Sequence, residues 1–326
     1  MAQSNDYYQV KKVSHSSLSY FEESPLTYQK FLDQELDQEK KKYYEDGQII
    51  HMYLLEPEEF ERTYELFDYA VPSSQQQKDF CEILSKFKKI NDDILTDAYN
   101  RTYSAKGKSS DKVLSEAKDL KDKNKGYIAF LRKTQEGKVI LGASYKNMLE
   151  EIKSKVKEHT IANALLFDTE EQQMNANFES VNETAIYWKE PVYGFECKSL
   201  LDRFVIDHEN KIVKLVDLKT SFSLKDIKEH IREFKYHRQM AFYWYAIHYY
   251  FKEKGLDISQ YTKETKIIFI KKKNPIEIKV IEMHQNLLME GDIELRSIFT
   301  KLDWHISQNL WEHDKSYYNN TCEIII

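Results

Sequence analysis

The order of apolar patterns along this chain predicts an α/β fold: a helical N-terminal region, then a mixed central sheet flanked by helices. Apolar residues recur at helical spacing through the first half, whereas from residue 184 they gather in short β-branched runs around one long helical stretch. Breakers are scarce. Eight Gly and five Pro in 326 residues leave little room for long loops or linkers, and 1–326 is read as a single domain.

Residues 1–103 make the helical region. Leu18, Phe21, Leu26, Tyr28 and Phe31 fit helical spacing, and Pro25 divides that stretch into two short helices. Tyr43 to Phe60 repeats the pattern through Ile49, Ile50, Tyr53 and Leu54 until Pro57 closes it. Residues 75–103 read as one or two more helices. The segment 104–126 is Lys- and Ser-rich with no strong apolar period, so it is expected to be a solvated loop or a mobile basic arm. Residues 127–326 supply the core and C-terminal elements. Tyr145 to Leu166 is amphipathic, and Thr184–Trp188, Val192–Asp207 and Lys211–Thr220 read as strands. Leu224 to Phe251 lacks Gly and Pro and reads as a helix. Strands follow at Ile267–Ile270 and Ile276–Val280, then a last helix from Gln285 to Trp311.

At 41% hydrophobic and 31% charged, the chain belongs to the globular class. Its formal net charge of −6 rules out a wholly basic nucleic-acid binder, so any such surface must be a local patch. Lys106, Lys108, Lys121, Lys123 and Lys125 are one candidate group, and Lys271 to Lys273 another. Cys81, Cys197 and Cys322 are too few for a four-cysteine metal site and form no CxxC pair. No signal-like N-terminus or membrane-length apolar run is evident, and the expected location is the cytoplasm.

Chemistry concentrates in one predicted hairpin. With Glu209 and Asn210 at its tip, residues whose numbers sum to 419 face each other, which sets Asp202 opposite Asp217 with Cβ atoms about 4.5–5.5 Å apart. Lys219 shares the face of Asp217, because strand side chains alternate. Two carboxylates that close repel unless one is protonated or a cation lies between them. Hard oxygen donors suit Mg²⁺ or Mn²⁺. Without that context, the same residues are simply surface acids and a lysine on a strand.

The segments Cys197-Lys198-Ser199-Leu200-Leu201-Asp202-Arg203-Phe204 and Val216-Asp217-Leu218-Lys219-Thr220 resemble the D…DxKT core of PD-(D/E)XK nucleases, the restriction-endonuclease-like fold. More narrowly they resemble the RecE-like (exonuclease VIII-like) and RecB-like branch. Gly47-Gln48-Ile49-Ile50-His51 looks like that branch's GxxxH helix, Glu183-Thr184-Ala185-Ile186-Tyr187-Trp188 like the acid and strand that open its core, and Gln239 to Tyr243 like its QxxxY helix. The namesake Pro-Asp is absent, since Leu201 precedes Asp202, and three cysteines argue against the iron–sulfur Cas4 branch.

The resemblance implies roles. Asp202, Asp217, His51 and the Leu218 carbonyl would hold the metal. Asp202, Asp217 and Lys219 would be catalytic, with Lys219 orienting and helping to deprotonate water after burial and the cation lower its pKa. Glu183 would be an outer acid of the metal site or a surface acid. Gln239 and Tyr243 would support the site or simply pack. The implied function is a deoxyribonuclease, a 5′→3′ exonuclease on double-stranded DNA ends in phage recombination or repair. A single-strand annealing partner and a ring-shaped homo-oligomer are implied as well, and no membrane. The alternatives are a structure-specific or restriction-type endonuclease and a nuclease-dead DNA-binding module.

Overall fold

The structure is a computed structural model that describes residues 7–35, 42–67, 69–135 and 137–320. Where the sequence reads as one domain, contacts divide the chain into two compact units, Met1–Glu56 with Ile152–Ile326 and Pro57–Glu151. Ser14 opens α1 (His15–Glu23) with a capping box, its hydroxyl accepting from Ser17 N–H while Ser17 Oγ accepts from Ser14 N–H. Ser24 caps α2 (Pro25–Leu32), and Pro25 at its first position separates the two helices as expected. α3 (Lys42–Leu55) follows, ending just before Pro57, which begins α4 (Pro57–Thr63).

The Pro57–Glu151 unit is mainly helical. In it β1 (Tyr64–Leu66) pairs in parallel with β2 (Val139–Leu141). Between them in sequence come α5 (Gln75–Ser85), α6 (Asp92–Thr102), α7 (Ser110–Lys123) and α8 (Lys125–Gln135). Phe80, Leu84, Leu95, Ala98 and Tyr99 form its core with Val113, Ala117 and Ile128. The expectation of a loop over 104–126 is therefore corrected. Ser109 caps α7 by accepting from Lys112 N–H, and the helix is anchored by only two buried residues, Val113 and Ala117. Val113, Ala117 and Leu120 repeat at helical spacing, with Leu114 and Leu120 partly buried beside them, among lysines and serines.

After α9 (Ala143–Glu158), the helix expected to run on to Leu166 breaks at His159, which is extended and caps α10 (Thr160–Leu166) through Nδ1. A short α11 (Glu170–Met174) leads into β3 (Phe178–Lys189), β4 (Glu196–Asp207) and β5 (Ile212–Ser221). These three form an antiparallel meander. The expected long helix is two, α12 (Ile227–Glu233) and α13 (Tyr236–Glu253), separated where Lys235 adopts φ +57°. They carry the chain over to β6 (Thr262–Lys271), which joins β5 in parallel, and β7 (Glu277–Glu282) returns antiparallel. The sheet order is β3-β4-β5-β6-β7, a mixed five-stranded sheet. α13 buries Met240, Phe242, Ala246 and Ile247 in the sheet unit's core. α14 (Gln285–Gln308) approaches it closely at Gly291, where a Cβ would lie 2.5 Å from His237 O, so only glycine fits.

Candidate active site

The 419 register is present from Asp207 opposite Ile212 to Arg203 opposite Val216. There the β4–β5 ladder stops, one step short of Asp202 and Asp217. The strands part, and the Asp202 carboxylate takes up the freed donor: Leu218 N–H donates to Asp202 Oδ2 at 2.6 Å. The ladder on the other side of β4 is interrupted at the same place. Asn182 faces Arg203 and Thr184 faces Leu201, while Glu183 between them turns to φ +41°. A left-handed glutamate is a strained conformation that costs on the order of 1–3 kcal/mol and persists where surrounding structure enforces it. Here it accompanies an acid placed beside Asp202.

α3 brings the third group. His51 Nδ1 lies 3.5 Å from Glu183 Oε1 and 3.6 Å from Asp202 Oδ2. One donor atom from each of the three falls within 4.8 Å of the others. Gly47 rides one turn earlier, where a Cβ would meet Thr220 Oγ1 at 3.4 Å, so α3 lies directly on β5. Asp217 is only 1% exposed, and its Oδ2 pairs with Lys219 Nζ at 2.6 Å. The Lys219 ammonium also sits 5.1 Å from the centroid of the Tyr236 ring. Asp217 is not in the three-residue group, and Glu183, read from sequence as an outer or surface acid, is.

The electrostatics are those of buried, crowded charge. Burial alone would lower the His51 pKa, but Asp202 and Glu183 outweigh it and push it up to about 9. Burial raises the Asp202 carboxyl, opposed by His51 and reinforced by Glu183. Burial also raises Asp217, to about 6, with Lys219 opposing and Asp202 adding. For Lys219 burial works downward, yet Asp217 and Asp202 prevail and hold the amine above its ordinary value. The lowering expected from sequence is reversed in the protein alone, because the acids, not the burial, dominate.

A buried clamp fixes these elements. Arg203 is 2% exposed; its Nε donates to Leu165 O at 2.8 Å, NH1 to Asn182 Oδ1 at 2.6 Å, and NH2 to Asp168. Asn182 Nδ2 in turn donates to Leu55 O at the end of α3. One arginine beside Asp202 thus ties β4 to β3 and, through Asn182, to the helix carrying His51. Sequence reading missed this role, since nothing in a single strand shows which neighbours its arginine will meet.

On α13, Gln239 Nε2 donates to Tyr243 OH at 2.8 Å, so the expected shared face is also a bonded pair. Burial first, then Asp217 and Asp202, raise the Tyr243 pKa well above the ordinary phenol. The second basic group expected from sequence is partly neutralised: Lys271 pairs with Glu277, and Lys272 is buried against Asp46 at 2.9 Å. Cys81 and Cys197 are free and buried, and Cys322 lies outside the described residues. Among the described residues, no helix is long and apolar enough to cross a membrane.

Comparison with known proteins adds a family. The profile of the "PDDEXK-like domain of unknown function (DUF3799)" matches residues 14–324. A solved structure named "Putative exonuclease", from Eubacterium rectale, is 12% identical, with 99% of this chain and 95% of that chain covered at a TM-score of 0.47. Another, named SSO0001, is 14% identical over 69% of this chain and 84% of that one, with a TM-score of 0.25. Both likenesses are weak. No curated protein matches the sequence.

Proposed function

The chain belongs to the family of PDDEXK-like domains, and on that premise we propose that it is a divalent-metal-dependent deoxyribonuclease acting at DNA ends. The observation that carries this reading is the convergence of His51, Glu183 and Asp202 within 4.8 Å, with the Asp217–Lys219 pair on the neighbouring strand.

The donors suit a hard cation. Asp217 Oδ1 is buried with no hydrogen-bond partner among the described residues, and Glu183 Oε1 has only the His51 ring nearby, at 3.5 Å, a cost that a cation would relieve. His51, Glu183, Asp202 and Asp217, with the Leu218 carbonyl, would hold Mg²⁺ or Mn²⁺. Such an ion, when bound, supplies Lewis acidity to the scissile phosphate and offsets charge on the leaving oxygen.

The chain's own groups do the rest. Leu218 N–H fixes the orientation of Asp202 Oδ2. Asp217 anchors Lys219, whose Nζ, held protonated, donates to a phosphate oxygen and orients the attacking water. Tyr243, whose phenol is raised by burial and by Asp217 and Asp202, keeps its proton and accepts from Gln239 beside the acids. By resemblance the reading extends to a RecE-type 5′→3′ exonuclease, to a ring-forming homo-oligomer and to a single-strand annealing partner.

Incubation of linear and covalently closed duplex DNA with Mg²⁺, Mn²⁺ or chelator tests the reading. Linear DNA should be degraded only with metal, a 5′ label should be lost before a 3′ label, and closed circles should persist. Rapid nicking of circles would replace the exonuclease with a structure-specific or restriction-type endonuclease. Binding without cleavage would leave a nuclease-dead DNA-binding module.

A further inference from the structure

Several cations of the helical unit are neutralised where they stand. Lys86 meets Glu82, Lys118 meets Asp92, Lys133 meets Glu65, and Lys108 meets Glu116 at 2.6 Å. Others gather around one hollow. Lys88, Lys121, Lys125 and Arg132 line a hollow of about 250 Å³ whose remaining walls are Ile90, Ile128 and Ala129. No carboxylate lines it. Among the described residues, Lys88 and Lys125 have no acid within ion-pair distance, and Lys121 has only the exposed neighbour Asp122 at 3.3 Å.

Three stretches of chain build the hollow: the α5–α6 connection, the end of α7 and the face of α8. Arg132 is held rigidly there, NH2 donating to Phe87 O at 2.5 Å and to Leu84 O at 3.5 Å. Leu84 O lies in the last turn of α5 and Phe87 O just beyond it, so the guanidinium caps this end of the helix while its charge stays uncompensated. Phe87 beside it is 40% exposed, a ring in reach of whatever the cations attract.

We infer that this hollow is a phosphate-backbone site for nucleic acid, separate from the cleavage centre, which binds substrate without reading its sequence; the inference rests on the nuclease reading for the identity of its ligand. Four cations around an apolar floor, with no acid in the lining, favour a polyanion. The volume is below the roughly 300–1,000 Å³ of small-molecule pockets and suits one stretch of a strand rather than an enclosed ligand. On a chain of net charge −6, such a local patch is what electrostatic capture of DNA requires.

The test measures affinity of the full chain for a blunt DNA duplex in chelator, between about 50 and 200 mM salt. Lys88→Gln, Lys121→Gln and Lys125→Gln are combined in one variant, leaving Arg132 in its structural bonds. A control variant removes the same charge from ion-paired lysines by Lys86→Gln, Lys118→Gln and Lys155→Gln. The hollow variant should reduce the slope of log affinity against log salt by about 2–3, near 0.9 for each phosphate no longer neutralised, with the control close to wild type. Equal slopes in both variants, or no change in either, would overturn the site. The two readings fail separately. Wild-type cleavage with an unchanged slope removes the hollow and keeps the nuclease, whereas a reduced slope without any metal-dependent cleavage does the reverse.

Discussion

The two units of this chain treat charge in opposite ways. In the sheet unit, a buried Asp217 and partly buried His51, Glu183, Asp202 and Lys219 are crowded together, and the acids Asp202 and Asp217 are raised as a result. In the helical unit, charge stays at the surface and cancels in part, in pairs such as Lys118–Asp92, with side chains 46% and 59% exposed. Buried charge is costly and exposed pairs are worth little. The first arrangement therefore calls for a functional reason and the second does not.

The contrast can be broken most forcefully at the site. Lys219→Ala and Asp202→Ala should each reduce DNA cleavage by at least about a hundredfold while circular dichroism stays native. Wild-type rates in either would make the buried cluster a structural feature like any other.

Next comes the clamp. Arg203→Leu removes the common partner of Leu165, Asn182 and Asp168. By analogy with broken buried pairs, it should destabilise the sheet unit by about 3 kcal/mol in urea unfolding. A loss under about 1 kcal/mol would show that β3, β4 and α3 hold their places without it.

How much of this was legible in sequence follows from where each interaction originates. The 419 register was readable because a tight turn ties Asp207 to Ile212, and alternation then carries Lys219 to the face of Asp217. The place of Glu183 was not. It depends on how β3 pairs with β4 and on a left-handed backbone that no side-chain pattern announces. The break at Lys235 escaped for the same reason. α7 was legible in Val113, Ala117 and Leu120 at helical spacing but was masked by the surrounding lysines and serines, and the cationic hollow was not, because Lys88 and Arg132 come from separate stretches of the chain.

A smaller effect sharpens the contrast through pH. The folded-state pKa of Asp217 lies at about 6, above the ordinary carboxylate value, so the folded protein binds a proton more tightly than the unfolded chain. Stability from this group is complete below about pH 4 and is lost as pH rises through about 6. In chelating buffer, Asp217→Asn should melt at or above the wild-type temperature at pH 7.5, and the difference should disappear near pH 4. A variant that melts lower at pH 7.5 would mean that the ion pair with Lys219 governs instead. The smallest effect belongs to the helical unit, where Lys118→Ala should change stability by under about 0.5 kcal/mol. A larger loss would show that its surface pairs are not interchangeable.

The most direct test of the buried cluster is calorimetric titration of Mn²⁺ into wild type, His51→Ala and Glu183→Gln. Wild type should bind in the sheet unit, and each substitution should weaken that binding by about 10- to 100-fold, since each removes one converging donor. Equal affinity in all three proteins would contradict a metal held between His51, Glu183 and Asp202.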